Sequence, residues 1–189
     1  MDKIKVCHII TMLELGGAQG NTLYTVDNLD KTRFDVILIC GPGGILDNRA
    51  KEIKNIKLCF VSSLIRQVNP VKDLGALIKL WKILKTEKPD IVHTHSSKAG
   101  ILGRWAAYFA GVHNIIHTYH GFGFNDFQHR LVKFVYVLVE RVSSTISGRL
   151  IVVSNENISY GLKNTIGYRD QYLVVRSGIK TGNYRQKYD

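Results

Sequence analysis

A chain of 189 residues, 45% hydrophobic and 22% charged, is long enough to bury one core and too short for two full domains. Three prolines and the lack of any low-complexity tract give no sign of a disordered region, and no apolar run reaches the roughly 20 residues that span a bilayer. The net charge of +11 favours an anionic partner: nucleic acid, an acidic membrane or a phosphate-bearing ligand.

The first predicted element is a strand over "IKVCHIIT" (4–11), followed by the loop "MLELGG" and a helix from about Ala18 to Leu29. A second strand, "FDVILICG" (34–41), ends in the turn "GPGG"; a short helix over Asp47–Lys54 and the strand "KLCFVS" (57–62) come next. The helix over 69–90 has the clearest period. Leu74, Leu77, Ile78, Trp81 and Leu84 recur at steps of three or four and predict one apolar face, with Lys72, Lys79 and Lys82 opposite. Pro89 closes it. "DIVHTH" is a strand, "SKAGILGRWAAYFAG" a helix of small residues ending at Gly111, and "NIIHTY" another strand. A very apolar helix is predicted over 126–145, then the strands "RLIVVS" (149–154) and "QYLVVRS" (171–177) around a weaker helix.

These strands are continuous Ile/Val runs rather than alternating ones, which implies burial on both faces, as in a parallel sheet sandwiched by helices. The expected fold is α/β, a doubly wound, mainly parallel Rossmann-like sheet with right-handed crossovers. Ligands of such sheets bind outside the carboxyl ends of the strands. The loops "LGGAQG", "HTHSSKAG" and "HTYHGFG" would therefore surface on one edge.

Each loop has a chemical reading and a plain one. Gly16 and Gly17 allow close approach of backbone N–H groups to a phosphate at a helix N-terminus; a tight βα turn calls for glycine as well, and no GxGxxG fingerprint is present. On a strand His93 and His95 point the same way, as in an HxH zinc site. A catalytic zinc takes three protein ligands, however, and this loop has no carboxylate. The spacing fits better one histidine packed beneath the cleft and the other lining it. Lys98 and Arg104 flank a helix that begins near Ser96 or Ser97, whose hydroxyls serve as N-cap or as partners for sugar or phosphate. His120, just past the fifth strand and followed by Gly121, suits a loop that comes close to a ligand; a histidine satisfying loop carbonyls fits the same pattern.

No GxSxG elbow is present, and the 15 acidic residues are read as mostly lying on helix surfaces. Aromatic residues fall at core-like spacing, so nucleic-acid binding rests on charge alone and is not expected. Cys7, Cys40 and Cys59, an odd set without CxxC, are expected as buried thiols in a reducing compartment. Only about eight apolar residues precede Glu14, too few for a signal peptide. A cytoplasmic location follows as the expectation.

Taken in order, "LELGGAQ", "RQVNPVKDLGALIKLWKILKTEKPDIVHTHSSKAGILGRWAA", "IIHTYHGFGF", "LIVVS" and "VVRSGI" resemble the N-terminal domain of family 4 glycosyltransferases. These are retaining enzymes of the GT-B fold, here most similar to the bacterial type that builds polysaccharide or lipopolysaccharide. The resemblance implies that residues 1–180 form the acceptor-side domain and that 181–189 begin an interdomain connection. The donor-binding domain would lie outside this chain, which alone would transfer sugar negligibly. It implies a nucleotide-sugar donor, a glycan or lipid-linked acceptor, and no cofactor or metal. His120 becomes the catalytic residue, Gly16 and Gly17 the loop near the donor diphosphate, and Gln19, His95, Ser96, Ser97, Lys98 and Gly121 the acceptor-side or cleft wall. Peripheral contact with the inner face of a membrane through Lys72, Lys79, Lys82 and Lys85 is a further expectation. The alternative is a non-catalytic module that binds an anionic glycan or lipid-linked sugar.

Overall fold

The computed structural model describes residues 2–125 and 127–178. The expected boundary near residue 180 and the segment 181–189 lie outside the described residues. Seven strands form one all-parallel sheet in the order β3-β2-β1-β4-β5-β6-β7. In chain order these are β1 (Ile4–Met12), β2 (Phe34–Gly41), β3 (Ile56–Phe60), β4 (Ile91–His95), β5 (Asn114–Tyr119), β6 (Arg149–Val152) and β7 (Tyr172–Val174). The helices are α1 (Gly17–Asn28), α2 (Asp47–Glu52), α3 (Pro70–Glu87), α4 (Ser97–Ala110), α5 (Arg130–Thr145) and α6 (Asn155–Lys163). The doubly wound α/β architecture read from the sequence is the one observed, and its strand order reverses between β1 and β4.

Side-chain alternation along β2 shows how the sheet is covered. Val36, Leu38 and Cys40 pack with Leu23 and Val26 of α1 and Ala50 of α2. Ile37 and Ile39 face the other way, against Ala76, Leu80 and Leu84 of α3 and Ala99, Ala106 and Ala107 of α4. Both faces are thus buried, which explains the unbroken apolar runs. α4 lies close to the strands because its small residues permit it. A side chain at Gly100 would meet the His117 ring, and one at Gly103 would meet Thr94 and Ile9.

Two helices depart from expectation. α3 buries Ala76, Leu80 and Leu84, while Leu74, Ile78 and Trp81 of the predicted apolar face are exposed. Apolar residues occupy most of its circumference, so docking on the small residues of α4 decides the buried side. α5 starts at Arg130 behind the His129 side chain, which accepts the Leu131 N–H; Asp126, where the predicted helix began, lies outside the described residues. α5 is also inverted. It buries Val137, Glu140, Ser143 and Ser144 and exposes Leu131, Val132, Phe134, Val135, Leu138 and Val142.

Glu140 corrects the placing of the acidic residues on helix surfaces. It takes the Arg104 guanidinium at 2.6 Å and the Tyr119 hydroxyl at 2.7 Å, with the two charged side chains 2% and 0% exposed. Burial and the carboxylate beside it hold the Tyr119 phenol well above its usual range. The cysteines are free thiols, Cys7 and Cys40 buried and Cys59 partly so; burial pushes Cys40 up to about 12 and raises the other two. None of the helices among the described residues is long and apolar enough to cross a membrane.

Candidate functional site

The turns after β1, β4 and β5 meet at the carboxyl rim of the sheet. β1 and α4 are joined there by hydroxyls. Thr11 Oγ1 accepts the Ala99 N–H at 3.1 Å and lies 2.8 Å from Ser96 Oγ. Ser96 occupies the N-cap position of α4, yet its own side chain caps nothing; a threonine from a distant strand serves the helix instead. Ser96 has φ of 61°, a left-handed backbone costing about 1–3 kcal/mol in a non-glycine residue, of the kind found at ligand clamps.

A cavity of about 790 Å³ opens beside this junction. Gln19, Ser96, Ser97 and Lys98 stand on its polar wall, and Leu131, Val132, Val135 and Val139 of α5 on its apolar wall. The Lys98 ammonium bonds Asp73 Oδ1 at 2.6 Å and the Gln67 carbonyl. Its charge is committed to the first turn of α3, so it acts as a fixed wall rather than a free cation. A smaller cavity of about 360 Å³ is lined by His93, His95, His120, Asn21, Tyr24 and Arg176. The sequence-predicted residues therefore divide between two openings, and Gly16, Gly17 and Gly121 line neither.

Gly16 makes room for Gln19, whose amide oxygen would lie 2.6 Å from a Cβ there. Gly17, the first residue of α1, has nothing among the described residues within 4 Å of such a Cβ. Internal packing does not require glycine at this position, which leaves open space at the helix start.

The histidines sort by strand face. His8 pairs with His93 in the β1–β4 register, so both lie on the α1 side, as does His95. Thr94 and His117 face α4, with Thr94 Oγ1 2.9 Å from His117 Nδ1. On the α1 side His8 Nδ1 lies 3.1 Å from His95 Nε2, and His95 Nδ1 lies 3.3 Å from His120 Nε2. His93 Nε2 bonds Thr118 Oγ1 at 2.7 Å. Burial lowers the pKa of every ring in this set, that of His8 to about 4 and those of His93 and His95 well below the usual range. Burial therefore favours the neutral form of each ring.

His8, His93 and His95 also place their ligand-capable nitrogens within 4.8 Å of one another. Neutral imidazoles so spaced have the chemistry to hold a zinc-like ion, although the His8–His95 contact already pairs two of the nitrogens. His8 was not singled out from sequence. Its signal was available as a histidine within an apolar strand whose neighbour in a doubly wound order is the HxH strand.

Residues 15–181 match the model of Glycosyltransferase Family 4. The chain belongs to glycosyltransferase family 4. A curated relative of this family 4 chain is the UDP-Gal:alpha-D-GlcNAc-diphosphoundecaprenol alpha-1,3-galactosyltransferase of Escherichia coli. It is 43% identical over 177 residues, covering 94% of this chain and 45% of the relative. The capsular polysaccharide biosynthesis glycosyltransferase CapM of Staphylococcus aureus is 23% identical over 191 residues, covering 100% and 47%. Among solved structures, a glycosyltransferase from Rickettsia africae matches with a TM-score of 0.71 at 21% identity, covering 98% of this chain and 46% of that one. MurG of Acinetobacter baumannii matches with a TM-score of 0.66 at 16% identity, covering 94% and 46%. The sheet is thus one half of a GT-B fold, and the chain spans just under half the length of the curated relatives it matches.

Proposed function

We propose that this chain is the acceptor-side half of a retaining GT-B glycosyltransferase that moves a hexosyl group from a nucleotide sugar to a lipid-linked sugar in cell-surface polysaccharide synthesis. One observation carries the reading: the turns after β1 and β4 line a cleft that is polar at the sheet rim and apolar along α5. An acceptor with a sugar head and a long hydrocarbon tail has those two needs. Its head fits Gln19, Ser96, Ser97 and Lys98. Its tail fits Val132 and Val135, continuing onto the outward Leu131, Phe134 and Leu138.

In this reading the donor diphosphate approaches the open space at Gly16 and Gly17, where α1 presents N–H groups and the positive end of its dipole. His120 meets the donor sugar or its phosphates, backed by His95, with Gly121 next to it. Transfer depends on holding two substrates in line and on hydrogen-bonding the departing diphosphate, steps that positioned side chains perform. No metal is expected. Contacts to the donor lie mostly beyond this chain, so the chain by itself transfers negligible sugar.

Membrane association belongs to the same proposal. The exposed apolar face of α5, bordered by Arg130 and Lys133, supplies insertion into an anionic bilayer. Lys72, Lys79, Lys82 and Lys85, all exposed on α3, add about 1 kcal/mol each when near such a surface. The cytoplasmic side, where nucleotide sugars are made, is the proposed location.

The test uses the intact enzyme with UDP-hexoses and a GlcNAc-diphosphate lipid, following nucleotide release. His120→Ala is expected to lower kcat about 10²–10³-fold, as loss of an oxyanion-type donor does. Phe134→Asp is expected to reduce sedimentation with anionic vesicles and to spare a short-chain acceptor. Turnover of His120→Ala within twofold of wild type would end the catalytic assignment. Saturable binding of the lipid acceptor without any transfer by the intact enzyme would instead favour a non-catalytic module.

A further inference from the structure

We propose that His95 and His8 are positioning residues that hold His120 in one neutral tautomer, protonated at Nδ1, so that this ring offers a hydrogen-bond donor to the cavity it lines. Three imidazoles stand in series from the core outward: His8 Nδ1 to His95 Nε2, then His95 Nδ1 to His120 Nε2. The two end nitrogens differ. His8 Nε2 is buried and has no hydrogen-bond partner among the described residues. His120 is only partly buried and lines the cavity with Asn21, Tyr24 and Arg176.

A neutral imidazole has one N–H and one lone pair, which of its nitrogens carries the proton being set by its partners. A series of three therefore has two self-consistent orders. In the inward order His120 Nε2–H donates to His95 Nδ1, His95 Nε2–H donates to His8 Nδ1, and the His8 proton sits on Nε2. That N–H is then buried with nothing to accept it. In the outward order His8 Nδ1–H donates to His95, and His95 Nδ1–H donates to His120 Nε2. The proton of His120 must then sit on Nδ1, and only a lone pair is left uncommitted at His8 Nε2.

Buried donors without acceptors are the rarer failure in native interiors, and acceptors with a spare lone pair the commoner one. The orphan at the inner end thus selects the outward order. His93 takes no part in the series, because its Nε2 is bonded to Thr118. The spacing is imposed by the sheet: His8 and His95 are on neighbouring strands β1 and β4, and His120 directly follows β5.

What the donor meets rests on the glycosyltransferase reading above. A nucleotide leaving a sugar gathers negative charge on its phosphate oxygens, which an N–H stabilises and a ring lone pair repels. The tautomer itself does not depend on that reading.

Long-range ¹H–¹⁵N correlation spectra of the ¹⁵N-labelled chain near neutral pH test the series directly. The expected result is Nδ1 protonated and Nε2 bare in His8, His95 and His120. In His95→Phe the Nδ1–H form of His120 should lose its dominance. His95→Asn, whose amide N–H stands close to the position of the imidazole Nδ1–H, should retain it. His8→Leu should loosen the preference at both His95 and His120. The proposal is overturned by a wild-type His120 protonated at Nε2, or by an unchanged His120 pattern in folded His95→Phe. It is also overturned if equimolar Zn(II) shifts His8, His93 and His95 together, which would make them a metal site. Should His95→Phe fail to fold, the wild-type spectrum and His8→Leu still decide. If the tautomers are as stated while His120→Ala keeps full transfer in the intact enzyme, the series stands and the catalytic reading falls.

Discussion

The Arg104–Glu140 pair offers a quantitative test of how α4 and α5 are held together. Both side chains are out of solvent, the contact is 2.6 Å, and Tyr119 donates to the same carboxylate oxygen. Arg104 Nε donates to the Gly100 carbonyl, while its Nη1 has no partner among the described residues. Replacing one member of such a pair strands the other charge, at a cost of about 3–5 kcal/mol. Unfolding entropy scales at about 2.1 cal/mol/K per residue, so a chain of this length loses stability at roughly 0.4 kcal/mol per degree near its midpoint. Glu140→Leu should therefore lower Tm by about 8–12 °C, read by circular dichroism. The double variant Arg104→Met/Glu140→Leu should recover most of that loss, because two well-packed apolar side chains replace two desolvated ions. A residual cost of about 1–3 kcal/mol is expected from the unpaired Tyr119 hydroxyl, and adding Tyr119→Phe should remove it. A single variant that loses less than 1 kcal/mol, or a double variant less stable than both singles, would refute the reasoning.

Stability should also depend on acid through the histidines. The folded values of His8, His93, His95, His117 and His120 all lie below the ordinary 6.5, with burial the leading cause. The unfolded chain therefore binds more protons, and stability present above about pH 6.5 is lost as pH falls toward 4, by up to about 1.4 kcal/mol per pH unit per ring. Denaturant midpoints that stay level from pH 7 to 5 would contradict this. Gly100→Ala should destabilise the fold by about 1–3 kcal/mol, since its Cβ would stand 2.4 Å from the His117 ring. Gly20→Ala, with open space around it inside α1, should stabilise by about 1 kcal/mol; equal effects at the two positions would show that the close packing of α4 is misassigned.

The order of elements was legible because Ile/Val runs, Pro89 and Gly111 act locally. The rim location of the candidate site followed from that order, as ligand loops of a parallel sheet lie beyond its carboxyl ends. Other features depend on distant partners. The buried side of α3 could not be read where Leu74, Leu77, Ile78, Leu80, Trp81, Ile83 and Leu84 surround the helix. α5 reads as a core helix by composition, yet Glu140 turns inward to meet Arg104, and its apolar residues are carried outward. Ser96 looks like an N-cap in sequence, but the cap comes from Thr11. His120 stood out through its glycine neighbours, whereas His8 gains meaning only once β1 lies beside β4.

The central place of β1 has a consequence for how the molecule is made. One side of this strand is matched early by β2, but its other side belongs to β4, which begins at Ile91. At translation speeds of about 5–20 residues per second, that side stays open for roughly 4–16 s after the first strand has emerged. A nascent chain halted in this window would present a bare strand rich in valine and isoleucine, suited to joining a neighbour of its own kind. A translational pause while β4 is still unmade or enclosed by the ribosome should therefore increase aggregation in the cell, whereas the same pause after β4 has emerged should be harmless.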